Sequence, residues 1–449
     1  MKKAAGLAAV VAAVALTLTA CAPGSGAGTT TSSAGPVSKD VAAAGKVTLT
    51  VWDQNVDAGI AEAQEALNKQ FEAKYPNVTI ERTAQSFADL KKTLRLALTS
   101  NTPPDVAQVN QGYPDMGAFV EAGLLRPLND YDQLYGWSSY FPKGLLKQNS
   151  FSADGKSWQG DNLFGVSQTG ELVGVYYNRA LLNQLGLETP TTLDQLEAAM
   201  AKAKSAGILP LSFGNLEKSP GIHIMGVTQA SLLGAEGVTK LVSGQGGAWT
   251  DAPTLEAATK IAQWAQDGYL TPGANGVSRD DATSAFGRGE SLFLINGTWQ
   301  QAKLETAMGT SAAGFTVLNS AVDGKPTTTG GQGLAWSIGS KTKNADVAAA
   351  YIDFVTNAGS AEQLMSTGAL PTVLPASYQP EAGTLAADIA TQYRAVQAAN
   401  GVVPYLDYAT TTFYDTLTAG AQDLIAGQIT PQGFVEKLQA DQAAFLAKR

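Results

Sequence analysis

The chain has 449 residues, 44% of them hydrophobic, and a formal charge of −9 from 39 acidic and 30 basic side chains. That length allows two domains of ordinary size, and the acidic balance argues against nucleic acid or an anionic lipid surface as a partner of the body. A single cysteine, Cys21, and a single histidine, His223, exclude zinc-type clusters, thiol catalysis and an intramolecular disulfide framework on inventory alone.

Lys2 and Lys3 form a basic head, an apolar run follows from Ala4 to Leu18, and Leu18-Thr19-Ala20-Cys21 closes it. This is the pattern of a secretory leader over residues 1–20, and no later run is apolar enough to span a bilayer. The closing tetrad resembles the bacterial lipobox, in which the cysteine is acylated and becomes the new N-terminus. Cys21 is therefore the expected lipidation site, and the membrane is expected to be touched through that anchor only. Residues 22–45 are almost wholly Ala, Gly, Ser, Thr and Pro, too little apolar surface to offset the entropy of ordering. With Cys21 they read as a lipidated, flexible tether (21–45) that reaches roughly 25–30 Å by random-coil scaling.

From residue 46 onward, strand-like and helix-like segments alternate. Val47 to Trp52 is β-branched and apolar, a buried strand. Ile60, Ala63, Leu67 and Phe71 recur at helical spacing, and Pro76 ends that helix. Val78 to Arg82 is the next strand; Phe87, Leu90, Leu94 and Leu98 mark the next helix, broken by Pro103-Pro104. A short strand, Asp105 to Val109, leads into a helix from Pro114 that stops at Gly123. A second series starts with the strand Leu172 to Tyr177. Thr192 and Gln195 have the spacing of a capping box over the apolar face Leu193, Leu196 and Met200. Leu209 to Phe213 and Ser291 to Ile295 are further strands. The last third is helical: Ala345 to Thr356, Thr384 to Gln397, Thr411 to Ala426, and Pro431 to Leu446 with Thr430 as N-cap. This order predicts an α/β protein of two lobes, each a mostly parallel sheet flanked by helices.

Several segments then match one family in order and spacing. Leu163-Phe164-Gly165-Val166, through Glu171 to Tyr177-Asn178-Arg179, resembles the crossover strand of the sugar-binding proteins of ABC importers. The Leu-Gly-Leu to Leu-Asp-Gln-Leu stretch from Leu185 to Leu196 follows as in that family, and Leu292 to Trp299 resembles its strand ending in Asn-Gly-x-Trp. Gly330-Gly331 before the strand Leu334 to Ile338, and Asn344 opening an Ala-rich helix, complete the likeness. The resemblance implies a periplasmic-binding-protein-like fold of the class II type with a hinge between the lobes. Lobe one would be 46–168 plus 318–357, and lobe two 169–317 plus 358–449. It also implies a monomer that captures a carbohydrate, an oligosaccharide, in the cleft, closes on it, and delivers it to the permease of an ABC transporter at the extracytoplasmic face of the cell membrane. ATP hydrolysis would fall to other subunits, so neither catalysis nor a cofactor or metal is expected of this chain.

A sugar asks for amides and carboxylates that pair with its hydroxyls and for flat aromatic faces against its ring. In open α/β sheets such groups gather beyond the C-terminal ends of strands. Asp53-Gln54-Asn55 follows the first strand, as a binding triplet or as a strand-to-helix turn. Gln85 follows the second strand, and Asn110-Gln111-Gly112-Tyr113 the third, with Tyr113 as a stacking face. The resemblance adds Glu171 at the crossover, Trp299 of the Asn-Gly-x-Trp segment, Gly331 for close backbone approach, and Phe413 or Tyr414 as a second aromatic. Asn215 and His223 flank the loop after the strand at 209–213. Two rivals stand beside this reading. A glycoside hydrolase would need paired carboxylates such as Asp53 and Glu171. A phosphorylated solute such as glycerol phosphate would need arginines, which the candidate loops lack.

Overall fold

The computed structural model describes residues 37–449; Cys21, the leader and most of the tether lie outside the described residues. The body begins earlier than the composition suggests. Val41 is buried in a hydrophobic cluster with Leu49, Phe71 and Val78, and the Asn77 amide donates to the carbonyls of Val41 and Gly45.

The first part of the chain runs β1 (Val47–Asp53), α1 (Ile60–Lys74), β2 (Val78–Ala84), α2 (Phe87–Thr99) and β3 (Val106–Val109). Alternation decides β1: Val47, Leu49, Val51 and Asp53 all point inward. In α2, Leu90, Leu94 and Leu98 form one buried stripe, and the Ser86 hydroxyl caps the helix by accepting from the Asp89 N–H. The helix expected from Pro114 is instead a π-helical turn, Tyr113–Gly117, followed by the short helix Ala118–Glu121.

The chain continues through β4 (Val166–Ser167), β5 (Val173–Asn178), α3 (Leu193–Ser205), β6 (Leu209–Ser212), α4 (Pro220–Ser243), α5 (Ala252–Gln266), α6 (Arg279–Gly287), β7 (Ser291–Gly297), α7 (Gln301–Met308), β8 (Ala313–Thr316) and β9 (Thr328–Thr329). The last segments are β10 (Ala335–Ile338), α8 (Ala345–Thr356), α9 (Ala358–Ser366), α10 (Leu385–Ala398), β11 (Val402–Val403), α11 (Phe413–Ile425) and α12 (Pro431–Leu446). The capping box at α3 is present: Thr192 accepts from the Gln195 N–H, and Gln195 reaches back to the N–H of Thr191. The sequence reading passes over α4 because nearly every side of it is apolar and buried. Ile222, Ile224, Met225, Val227 and Ala230 leave no amphipathic stripe to detect.

Apart from β9 and β11, which pair only with each other, these strands form two sheets. The first has the order β2-β1-β3-β10-β4 and the second β8-β5-β7-β6. Both are mixed. β1 pairs parallel with β2 and β3, and β6 with β7, whereas β10 runs antiparallel to β3 and β4, and β5 antiparallel to β7 and β8. The antiparallel members are strands bordering the points where the chain passes from one sheet to the other, which frees them from the right-handed crossover that parallel neighbours need.

The segment 318–329, expected with the first lobe, sits with the second, since β9 pairs with β11 beside α4. Conversely α9, expected with the second lobe, packs on the first, with Leu364 and Ala369 against Ile60 and Ala63 of α1. Helix boundaries and loop composition carry no signal of which sheet an amphipathic helix will cover, so the crossings move by about a dozen residues.

Candidate binding cleft

Three segments pass side by side between the sheets. The N–H groups of Gly331 and Gly333 donate to the carbonyls of Glu171 and Thr169 at 2.6 and 2.9 Å, and those of Gly170 and Thr372 to Leu370 and Gln168 at 2.8 and 3.1 Å. The Tyr393 hydroxyl ties this hinge together, lying 3.1 Å from the Gly331 carbonyl and 2.8 Å from that of Thr372. Above it opens a cleft, lined from both sheets, with a cavity of about 90 Å³.

One wall is built by strand ends of the first sheet. Gln54, Asn55 and Asp57 follow β1, and Asn110 and Gln111 follow β3. Behind them runs a buried amide network. The Asn55 amide donates to Gln64 Oε1 at 3.1 Å, the Gln64 amide donates to Asn68 Oδ1 at 3.0 Å and to the Tyr351 hydroxyl at 2.8 Å, and the Gln108 amide donates to Asn55 Oδ1 at 3.2 Å. Each amide has partners before any ligand arrives, so this wall is fixed in advance.

The opposite wall is aromatic. The Trp299 and His223 rings lie 5.3 Å apart, His223 and Tyr405 6.2 Å, and Tyr405 and Tyr408 5.7 Å, a continuous arc along one side of the cleft. The Asn296-Gly297-Thr298-Trp299 sequence builds the end of this arc residue by residue. Asn296 Oδ1 accepts from the Gly297 N–H and turns the strand, while Thr298 Oγ1 accepts from the N–H of Leu172 on the hinge. A side chain at Gly297 would place its Cβ 2.0 Å from the indole, so only glycine lets the ring lie on the strand end. The indole Nε1 is buried with no hydrogen-bond partner among the described residues. Tyr408 reaches across the cleft, donating to Gln111 Oε1 at 2.9 Å and resting on Gly112, whose hypothetical Cβ would lie 2.4 Å from it. Arg279, at the start of α6, also spans the cleft, with Nη2 3.1 Å from Asp57 Oδ1.

Burial sets the electrostatics. It pushes the Glu171 carboxyl up to about 7, opposed by the hydrogen bond from the Tyr405 hydroxyl at 3.2 Å, and pushes Asp407 up to about 6. Asp57 is raised for the same reason, with Arg279 opposing. His223 is driven down to about 3 by burial and by Arg279, so its imidazole is neutral near pH 7.

Of the residues singled out from the sequence, Gln54, Asn55, Asn110, Gln111, Glu171, His223 and Trp299 line this cleft. The others do not. Asp53 is fully buried under a two-pronged ion pair with Arg82, at 2.7 and 2.8 Å, because the inward face of β1 meets Arg82 of β2. Gln85 bonds the Thr93 hydroxyl on α2. Tyr113 is packed among Phe151, Trp158 and Phe445, behind the cleft wall. Asn215 is a loop clasp, bonding the Gly221 N–H and Asn275. Gly331 faces Val402 and Leu145. Phe413 stacks in the core on Trp249, and Tyr414 lies outside the main cleft, beneath Lys91 and beside Phe87.

The lining residues not singled out are chiefly Asp57, Phe87, Arg279, Tyr405, Asp407 and Tyr408. The dense aromatic and acidic run Tyr405-Leu406-Asp407-Tyr408 was a usable signal, but its 3₁₀ turn, Leu406–Ala409, has neither strand nor helix periodicity.

Residues 66–392 match the bacterial extracellular solute-binding proteins. An uncharacterized ABC transporter extracellular-binding protein of Pyrococcus horikoshii is 25% identical over 260 residues, 56% of this chain and 55% of that protein, so the alignment spans little more than half of that relative. The multiple sugar-binding protein of Streptococcus mutans is 22% identical over 339 residues, 73% of this chain and 76% of that protein. Among solved structures, a chitin oligosaccharide binding protein shares the fold with a TM-score of 0.77 at 22% identity, over 90% of this chain and 99% of that one. The matched stretch runs from α1 into α10, through both sheets and all three hinge crossings, and the chain belongs to the bacterial extracellular solute-binding protein family.

Proposed function

We propose that this chain captures a carbohydrate, an oligosaccharide, in the cleft and hands it to the permease of an ABC importer, without chemical change to the sugar. The observation that carries this reading is the arc of Trp299, His223, Tyr405 and Tyr408 facing the strand-end amides Gln54, Asn110 and Gln111 across one cavity. Flat apolar faces on one side and paired donors and acceptors on the other match the two surfaces of a pyranose ring. The names of the multiple sugar-binding and chitin oligosaccharide binding relatives support the same class of solute. A ligand touching both walls binds the closed arrangement more tightly than an open one, and so couples capture to a shape a permease can recognise. Acylation at Cys21 would hold a monomer at the extracytoplasmic face of the membrane.

The alternatives are weaker on specific grounds. The hydrolase pair Asp53 and Glu171 fails because Asp53 is sealed under Arg82. A phosphorylated solute would need free cations, and Arg279 of the cleft is engaged by Asp57.

A thermal-shift screen of the full chain against neutral and phosphorylated mono- and oligosaccharides tests the proposal. A true ligand at 100 times its Kd adds about 2.7 kcal/mol of stability. A shift with a neutral oligosaccharide, with the sugar recovered intact, supports the reading. A shift confined to phosphorylated solutes, or hydrolysis of the sugar, refutes it.

A further inference from the structure

The charges of the cleft do not balance. Arg279 is spoken for, 3.1 Å from Asp57 and 3.4 Å from Asp280. Lys91 of α2 faces Asp407, but its Nζ lies 2.5 Å from Asp115 and over the Tyr414 ring. His223 is neutral. Glu171 and Asp407 are left, and among the described residues no lysine or arginine nitrogen lies within 4.0 Å of either carboxylate. Asp407 is only 3% exposed, and the protein offers its carboxylate the Asn110 amide; Glu171 has the Tyr405 hydroxyl.

A buried carboxylate without a counter-charge is costly, and a protein that keeps two of them in one cavity is arranged for something that compensates them. The surrounding rings bear on what that is. Tyr405 and Tyr408 flank Asp407 in sequence and stand 5.7 Å apart, with Trp299 and His223 continuing the arc. Aromatic faces attract a cation as well as a sugar face, and most strongly where water is excluded.

We propose that the sugar taken by this cleft carries a protonated amino group, held by Asp407 and Glu171 against the rings of Tyr405 and Tyr408. The proposal rests on the carbohydrate reading and narrows it to aminated sugars. Burial raises the proton affinity of both carboxyls, opposed only in part by Lys91 at Asp407 and by the Tyr405 hydroxyl at Glu171, and an ammonium group would reverse it.

The test is calorimetric titration of the full chain at pH 7 with matched sets that differ only at one carbon: glucosamine, N-acetylglucosamine and glucose, the galactose series, and their dimers. An amine with a pKa near that of an α-amino group, about 8, is mostly charged there. We expect the aminated member of one set to bind at least ~10-fold tighter than both of its partners, a difference of about 1.4 kcal/mol. Asp407→Asn and Glu171→Gln should each shrink that ratio, while circular dichroism shows each variant folded. Equal or tighter binding of the acetylated or hydroxyl member overturns the proposal and leaves the carbohydrate reading standing. A ratio unchanged in both variants overturns the assignment of the two carboxylates. Tighter binding of 1,4-diaminobutane than of any sugar overturns the carbohydrate reading, and the proposal with it.

Discussion

The two walls of the cleft solve opposite problems. The first-sheet wall presents amides whose hydrogen bonds are already made, through Asn55, Gln64, Asn68 and Tyr351 back to α8. The facing wall presents groups whose needs are unmet: among the described residues the Trp299 Nε1 has no partner, and no lysine or arginine nitrogen lies within 4.0 Å of the Glu171 and Asp407 carboxylates. A satisfied wall fixes position and loses little when a ligand leaves. An unsatisfied one gains most when a ligand arrives, because burial of an unpaired polar group is what binding relieves. The aromatic wall should therefore dominate affinity, and the amide wall should dominate stability and geometry.

The largest effect is expected at Trp299. Trp299→Ala removes both the stacking face and the orphan donor, and should weaken the best-binding sugar roughly 100-fold by calorimetry, or about 2.7 kcal/mol. A loss below fivefold would contradict the division between the walls. Next is Gly112→Ala, which touches the first wall only where the second rests on it. Its backbone has φ +75°, and the new Cβ would lie 2.4 Å from Tyr408. Affinity should fall about 10-fold through impaired closure, with a smaller ligand-induced change in small-angle scattering. Unaltered closure would show that Tyr408 is not a crossing contact.

Acid–base behaviour gives a third test. The folded Glu171 carboxyl titrates at about 7 against an ordinary 4.5, so the folded state holds the proton more tightly than the unfolded one. The Glu171 contribution to ligand-free stability should therefore rise as pH falls from 8 toward about 5, and Glu171→Gln should remove that contribution while leaving the smaller one of the same sense from Asp407. His223 acts in the other sense. Its folded value of about 3 lies below 6.5, so the unfolded chain gains a proton first and stability falls as pH drops below 6.5. Melting temperature against pH, in the parent and in Glu171→Gln, separates the two. The smallest effect on affinity is expected from Gln64→Leu, behind the amide wall. It should cost about 1–3 kcal/mol of stability in denaturant titration, while changing sugar affinity less than about threefold.

Much of the framework was legible. β1 to β3 with their helices, the α3 capping box and the termini of α8, α10 and α12 fall close to where periodicity and caps place them, because each is decided by neighbours within a few residues. Asn110 and Gln111 were legible as polar residues just past an apolar strand, and Trp299 through its resemblance to a family segment. Asp53 shows the limit of that reasoning. It follows the same rule of position, yet the register of β1 on β2 turns it onto Arg82 and away from the cleft. Tyr113, one residue past the glycine of a cleft loop, is drawn behind the wall by Phe445 and Arg449 of the C-terminal end.

By itself, then, the sequence determined the elements and the polar strand ends, since dihedral preference, capping and hydrophobic period act locally. The tertiary structure alone decided which sheet α9 and the segment 318–329 would join, and that Tyr405, Asp407 and Tyr408 would complete the cleft. Those residues sit some 300 positions from the loop they meet: the Tyr408 hydroxyl bonds Gln111 across a sequence separation of 297. Their meeting depends on β11 pairing with β9 and on an open glycine face at residue 112, neither of which leaves a periodic trace in the chain.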